Sequence, residues 1–277
     1  MQEWRADGDL VGYRMRPGVQ QRGAVLILHA FAEHAGRHER TMRRLAQRGV
    51  ASYAYDHRGH GRSPGRRAYV RSFDDLVDDA LVMLDSMAAE ESSQPLFLLG
   101  AGMGGVLAVH VALRRPDDFS GLVLVGPTFS GGTSTSGIVR RLNPLVASLV
   151  PTLHAESHDI RALSRNPVVV QEFRADPLTH RGGIPAQTGQ ELSRAAAIAL
   201  DDAAELTVPV LVVHGENDKI ASIGGSRRFV EAANSEDVRL YAIPAGHHEP
   251  FNDPGGDTLI DEVGIWIREQ VRRAVGA

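Results

Sequence analysis

The stretch that most constrains this chain is residues 95–115, PLFLLGAGMGGVLAVHVALRR. It opens on an apolar run, LFLL at 96–99, with no polar alternation, the pattern of a strand buried on both faces. It closes on Val106, Leu107, Val109, His110 and Leu113, spaced for one face of a helix. Only GAGMGG, residues 100–105, lies between them, so strand turns into helix across a short corner crowded with glycine. That junction predicts a sheet whose strands alternate with helices.

The rest of the chain keeps that rhythm. Residues 10–15 alternate weakly and read as an edge strand, and AVLILH at 24–29 is a second buried run. The next helix carries Met42, Leu45 and Ala46 and ends at Gly49, a C-cap glycine. Residues 50–55 form a strand that enters the glycine-rich turn DHRGHGRSPG at 56–65. A helix over 73–89 places Leu76, Val77, Ala80, Leu81, Leu84 and Met87 at helical spacing, with acidic residues early, where the helix dipole favours them. GLVLVGP at 121–127 is a further buried strand. From Thr128 to about Leu206 no buried strand is evident. FSGGTSTSG opens this part, and prolines at 144, 151, 167, 177 and 185 divide helical pieces. One piece bears an apolar stripe, Ile138, Val139, Leu142, Leu145, Val146, Leu149 and Val150, which Pro144 must kink or split. Strand, helix, strand and helix then return at 208–213, 222–233, 238–243 and 257–271. The expectation is an α/β fold with a mostly parallel sheet and helices on both faces. Its core is residues 1–127 and 207–277, and 128–206 is a helical insertion.

Composition narrows the chemistry by exclusion. A chain of 277 residues, 43% hydrophobic and 23% charged, is that of a soluble globular protein. A net charge of −4 gives no reason to expect nucleic acid. The absence of cysteine excludes disulfides, thiolate metal sites and a thiol nucleophile. MQEWRADGDL is polar and no apolar run approaches the roughly 20 residues of a membrane span, so a cytoplasmic location is expected.

In open parallel sheets the functional groups gather at the carboxyl ends of the strands. The glycine corner at 100–105 has the setting of the nucleophile elbow G-x-S-x-G, which lifts a serine onto a strained turn. Here the middle residue is Gly102. After the strand at 208–213 comes HGEND with Asp218, and after 238–243 comes PAGHHEPFND with His247 and His248. Elbow, then acid, then histidine is the order of a catalytic triad in α/β-hydrolases.

HAFAEHAGR, DHRGHGRSPG, GAGMGG, HGEND and HHEPFND, together with SRNP at 164–167 and DPLTH at 176–180, resemble the monoacylglycerol lipase family of α/β-hydrolases. The resemblance runs through essentially the whole chain. It implies hydrolysis of carboxylic esters of lipid-like or small acyl substrates, with no metal and no cofactor. It implies Asp218 as triad acid, His248 as triad base, and oxyanion-hole amides at Phe31 and Met103. It further implies Glu33 and Arg37 near the polar head of the substrate, and the insertion as a cap whose apolar stripe meets lipid interfaces at the membrane periphery. The sequence departs from the family pattern in three places. His29-Ala30 stands for His-Gly and Ala101 for histidine, and both are read as mild changes. Gly102 stands for the nucleophilic serine, engineered or lost naturally, and without Oγ no acyl-enzyme forms.

Blander readings compete at several positions. DHRGHG invites a metal or phosphate, but turn chemistry explains it better. The pairs His34/His38 and His154/His158 lack the glutamate of H-E-x-x-H and suit packing. The stripe at 138–150 suits a core, His247 a bystander, and Glu33 with Arg37 a surface pair. Two other classes of function use the same residues. One is a lyase, isomerase or cyclase working through the Asp218–His248 dyad and the oxyanion hole; the other is a ligand-binding pseudoenzyme.

Overall fold

The computed structural model describes residues 1–4, 9–129 and 159–276. The stripe at 138–150 and the pair His154/His158 therefore lie outside the described residues. The strands are β1 (Gln2–Trp4), β2 (Gly12–Met15), β3 (Gly23–Leu28), β4 (Val50–Tyr55), β5 (Leu96–Ala101), β6 (Gly121–Val125), β7 (Val210–Gly215) and β8 (Val238–Ile243). They form one eight-stranded sheet in the order β1-β2-β4-β3-β5-β6-β7-β8. β1 and β2 are antiparallel to their neighbours, and every pairing from β4 through β8 is parallel. The apolar runs behave as a doubly covered sheet requires, since β3, β4 and β6 are buried at every position. β2 is not the edge strand expected, because β1 pairs outside it. Trp4 explains the extra strand: it is 4% exposed, packs edge-on to Tyr53 and donates its indole N–H to Glu90.

The helices are α1 (Glu39–Gln47), α2 (Phe73–Glu90), α3 (Met103–Arg114), α4 (Pro167–Ala175), α5 (Ala186–Asp201), α6 (Ile223–Ala232) and α7 (Gly256–Gly276). Two hydrophobic clusters separate by face. Leu26, Leu98, Leu122 and Val210 meet α2, α3 and α5 on one side. Ile27, Leu99, Val123 and Leu211 meet α1 and α7, through Leu45, Ile260 and Trp266, on the other. This is strand alternation, with successive side chains of one strand feeding opposite layers. Local signals set the helix ends. Ser72 caps α2 by accepting from Asp74 N–H, Asn166 caps α4 ahead of Pro167, and Gly49 with φ +82° ends α1.

Between β6 and β7 the chain makes its long insertion. Its described part divides. Residues 159–185 lie on the carboxyl ends of the strands, where Ala162 and Leu163 carbonyls accept from His248 and Glu249 N–H, and Ala32 O accepts from His180 N–H. α5 instead joins the core layer, with Ala195 and Ala199 packed in the sheet-face cluster and Ala195 O within 2.9 Å of His110 Nε2.

Candidate active site

β5 ends at Ala101 and α3 begins at Met103, leaving Gly102 alone at the corner, with φ 52° and ψ −115°. That conformation is one L-side chains rarely adopt, which is the strain of an elbow expressed in the backbone. Its hydrogen bonds hold it there. Gly102 N–H donates to Val125 O at 2.9 Å, and Gly102 O accepts from Gly105 and Thr128 N–H, both at 3.1 Å. The next glycine has a different reason, close approach: a Cβ on Gly104 would sit 2.0 Å from Leu28 O. So α3 starts hard against β3, and Met103 N–H is one of the unpaired donors at a helix N-terminus.

Asp218 and His248 reach this corner from the loops after β7 and β8. His248 Nδ1 lies 2.7 Å from Asp218 Oδ2, with Asp218 fully buried and His248 8% exposed. Asp218 Oδ1 accepts from Ile220 and Ala221 N–H at 2.7 and 2.9 Å. Its Oδ2 faces a second imidazole, His214 Nε2 at 3.2 Å, which the sequence reading did not assign. Nε2 of His214 faces only acceptors, Asp218 Oδ2 and Ala221 O, so it carries the proton and Nδ1 accepts from Ser226 Oγ at 2.7 Å. Burial alone would raise the Asp218 carboxyl. The charge of His248 and the hydrogen bonds from His214, His248 and Ala221 outweigh it and hold the group well below its ordinary 3.8. For His248 burial opposes the charged ring, but the adjacent Asp218 carboxylate wins and raises it above 6.5. His248 Nε2 then points at the elbow, 3.4 Å from where a Cβ on Gly102 would stand. The Asp253 carboxylate holds the loop that carries His248. It accepts from His247 N–H, from Ser164 Oγ–H and from Arg165, which ties SRNP to HHEPFND.

The loop after β3 supplies the opposite wall. Ala30 N–H donates to Glu33 Oε1 at 2.8 Å, and Glu33 is bound by Arg37 and by His38, the latter at 3.2 Å. Arg37 makes a fork–fork pair with Glu249, at 2.7 and 2.8 Å, and lies 4.9 Å over the Phe173 ring. Glu33 and Arg37 are thus a buried pair, with Glu249 as a third member, and not the surface pair weighed above. Burial pushes the Glu33 carboxyl up, yet His38, Arg37 and the Ala30 amide bring it well below the usual carboxylate range. A cavity of about 30 Å³ lies against Ala30, Gly102, His248, Glu33, Arg37 and Glu249. Phe31 and Met103 directly follow Ala30 and Gly102, which face each other across the site: a Cβ on Gly102 would stand 3.6 Å from Ala30 Cα. The Ala30 methyl, read as a mild change from sequence, lies 2.8 Å from where a Cβ on residue 102 would stand.

Other candidates resolve into support. Asp56 of DHRGHG accepts from Ala35 and Arg62 N–H, both at 2.8 Å, which is turn chemistry. His29, His57 and His60 pack ring to ring beneath Phe31, with His29 and His57 centroids 4.0 Å apart. Burial drives His57 down to about 3 and His60 down to about 4, so both are neutral. His34 Nε2 donates to Asp176 of DPLTH at 2.8 Å, fastening the insertion to the same loop.

Sheet order, elbow backbone and a histidine–aspartate pair in the loops after the last two strands define an α/β-hydrolase. The family profile described as Hydrolase_4, serine aminopeptidase, S33, matches residues 19–255. The monoacylglycerol lipase of Mycolicibacterium smegmatis is 36% identical over 251 residues, covering 91% of this chain and 90% of that protein. The Homo sapiens monoglyceride lipase is 31% identical over 273 residues, covering 97% and 90%. A crystal structure of the Paleococcus ferrophilus monoacylglycerol lipase superposes with TM-score 0.83 at 30% identity, over 94% of this chain and 99% of that one. The chain belongs to this family, as a monoacylglycerol lipase-like α/β-hydrolase.

Proposed function

We propose that the chain carries a monoacylglycerol lipase-type site for lipid-like or small acyl esters in which the acyl-enzyme route is closed. The observation that carries this reading is the oriented Asp218–His248 pair facing an elbow residue, Gly102, that has no side-chain nucleophile. In a serine form of this site His248 would take the nucleophile's proton and return it to the leaving alkoxide. Asp218 would hold the Nδ1–H tautomer, and the Phe31 and Met103 amides would hold the oxyanion. The Glu33–Arg37–Glu249 cluster, on the cavity beside the elbow, is assigned to the polar head of the substrate. The insertion, residues 128–206, is assigned as the cap, with the stripe at 138–150 meeting the acyl chain or a lipid interface. No metal or cofactor enters this chemistry.

The test is turnover of p-nitrophenyl butyrate and of a monoacylglycerol dispersion, with intact-protein mass after a fluorophosphonate. The expected result is no adduct and hydrolysis about 10⁶ below a triad enzyme, with roughly 10³–10⁴ over water left from the other groups. Saturable turnover at 1–10³ s⁻¹ with a covalent adduct would overturn the reading. A second reading, proton transfer in a lyase, isomerase or cyclase, draws on the same raised His248, because a pure binding module has no use for an oriented imidazole. Deuterium uptake from solvent into a bound carbonyl ligand, lost in His248→Ala, would favour it.

A further inference from the structure

We propose that Ala30 and Gly102 are a matched pair, and that the Ala30 methyl is what closes position 102 to a side-chain nucleophile. The inference rests on the reading of Gly102 as the nucleophile position. An ideal Cβ built on Gly102 meets Ala30 Cβ at 2.8 Å, a separation real Cβ atoms essentially never show. Its other close neighbour, His248 Nε2, is at an ordinary 3.4 Å. The approach from the base is therefore open, and the obstruction is the methyl alone.

A methyl has no rotamer with which to retreat, so relief would have to come from backbone, and both backbones are clamped. Ala30 N–H is held by Glu33 at 2.8 Å, and Glu33 is fixed in turn by Arg37 and His38. The Ala30 carbonyl is held as well. His57 N–H donates to His29 Nε2 at 3.0 Å, so the proton of neutral His29 sits on Nδ1 and is donated to Ala30 O at 2.7 Å. On the other side, Gly102 is bound through its N–H to Val125 and through its carbonyl to Gly105 and Thr128. Neither residue can move without breaking buried hydrogen bonds. Ala30 thus decides what position 102 can hold. A serine introduced there alone meets the methyl, whereas a serine opposite glycine at position 30 keeps only ordinary contacts, with His248 Nε2 at 3.4 Å and the residue-30 Cα at 3.6 Å.

The experiment is a double-mutant cycle on the full chain: unaltered, Ala30→Gly, Gly102→Ser, and both together. Each form is read by thermal unfolding and by the rate of fluorophosphonate labelling. Gly102→Ser alone is expected to lower Tm by roughly 4–10 °C, and adding Ala30→Gly to recover at least half of that loss. Labelling of the double variant should exceed that of Gly102→Ser by about 100-fold, the usual cost of a misplaced reacting group. Additive Tm changes, or equal and measurable labelling of the two serine forms, would overturn the pair. If Gly102→Ser does not fold, a folded double variant supports the proposal and an unfolded one overturns it. A double variant that recovers Tm yet takes no label would uphold the pair and sink the hydrolase reading of the site instead.

Discussion

The two halves of the site keep different things. The half assigned to acid–base work keeps its hydrogen bonds, because the Asp218 side chain is buried, accepts from two amides, and is flanked by His214 and His248. The elbow half keeps its backbone, with φ 52° at Gly102 and α3 pressed against β3, and presents glycine where the proposed function would need a nucleophile. The difference teaches that the elbow conformation is a property of the strand–helix corner and does not need the serine it usually presents. Glycine relaxes there what a side chain would strain. A proton-handling pair, by contrast, persists only as long as both partners and their surrounding donors do.

The largest expected effect sharpens that comparison by restoring the weak half. In the Ala30→Gly/Gly102→Ser background, His248→Ala should lower kcat by about 10⁶ and Asp218→Asn by about 10⁴. Steady-state kinetics on p-nitrophenyl butyrate checks this, and losses below tenfold would mean the acid–base half is not coupled to the elbow. Next in size is the clamp behind the elbow loop. Arg37→Ala leaves Glu33 and Glu249 buried around an absent cation, and removing one partner of such a cluster costs about 3–5 kcal/mol. Chemical denaturation should show that loss, and a change under about 1 kcal/mol would mean the cluster is solvated.

Acid should then loosen the ring stack under the same loop. His57 and His60 sit at about 3 and about 4 in the folded chain, below the ordinary 6.5, so the unfolded chain takes up protons that the folded one refuses. Their contribution is present above 6.5 and is lost as pH falls toward 4 and then 3. The depressed Asp218 acts only below 3.8, outside most of that window. Tm should therefore fall steadily from pH 6.5 to 4, and a flat profile there would contradict the buried, neutral assignment. The smallest effect is expected from His247→Ala. The structure puts only its backbone to use, in a hydrogen bond to Asp253, so turnover of the serine-restored form should change by no more than about threefold. A loss matching that of His248→Ala would move the base by one residue.

Much of this was legible in sequence where the signal is periodic or positional. Continuous apolar runs marked β3 to β7, and strand-end position picked out Asp218 and His248. β1 escaped because three residues with a single buried side chain, Trp4, show no period. Glu249, Asp253 and His214 escaped for another reason: each acts through a partner that packing brings near. Arg37 and Glu249 are 212 residues apart, and no local pattern announces their pairing. Ala30 is the sharpest case. One methyl is conservative along the chain and decisive only once β3 and β5 lie side by side.

Under the proposed function an intact Asp218–His248 pair faces an elbow residue with no side-chain nucleophile. The titration of His248, followed by imidazole NMR in the unaltered chain and in Asp218→Asn, tests it most directly. Asp218 beside it raises His248 above 6.5, so the charged ring and its stabilising contribution persist below that value and are lost as pH rises through the raised midpoint. The predicted result is a midpoint above 6.5 that falls by roughly 1–3 pH units in Asp218→Asn. A midpoint at or below 6.5 that ignores the Asp218 change would contradict the account.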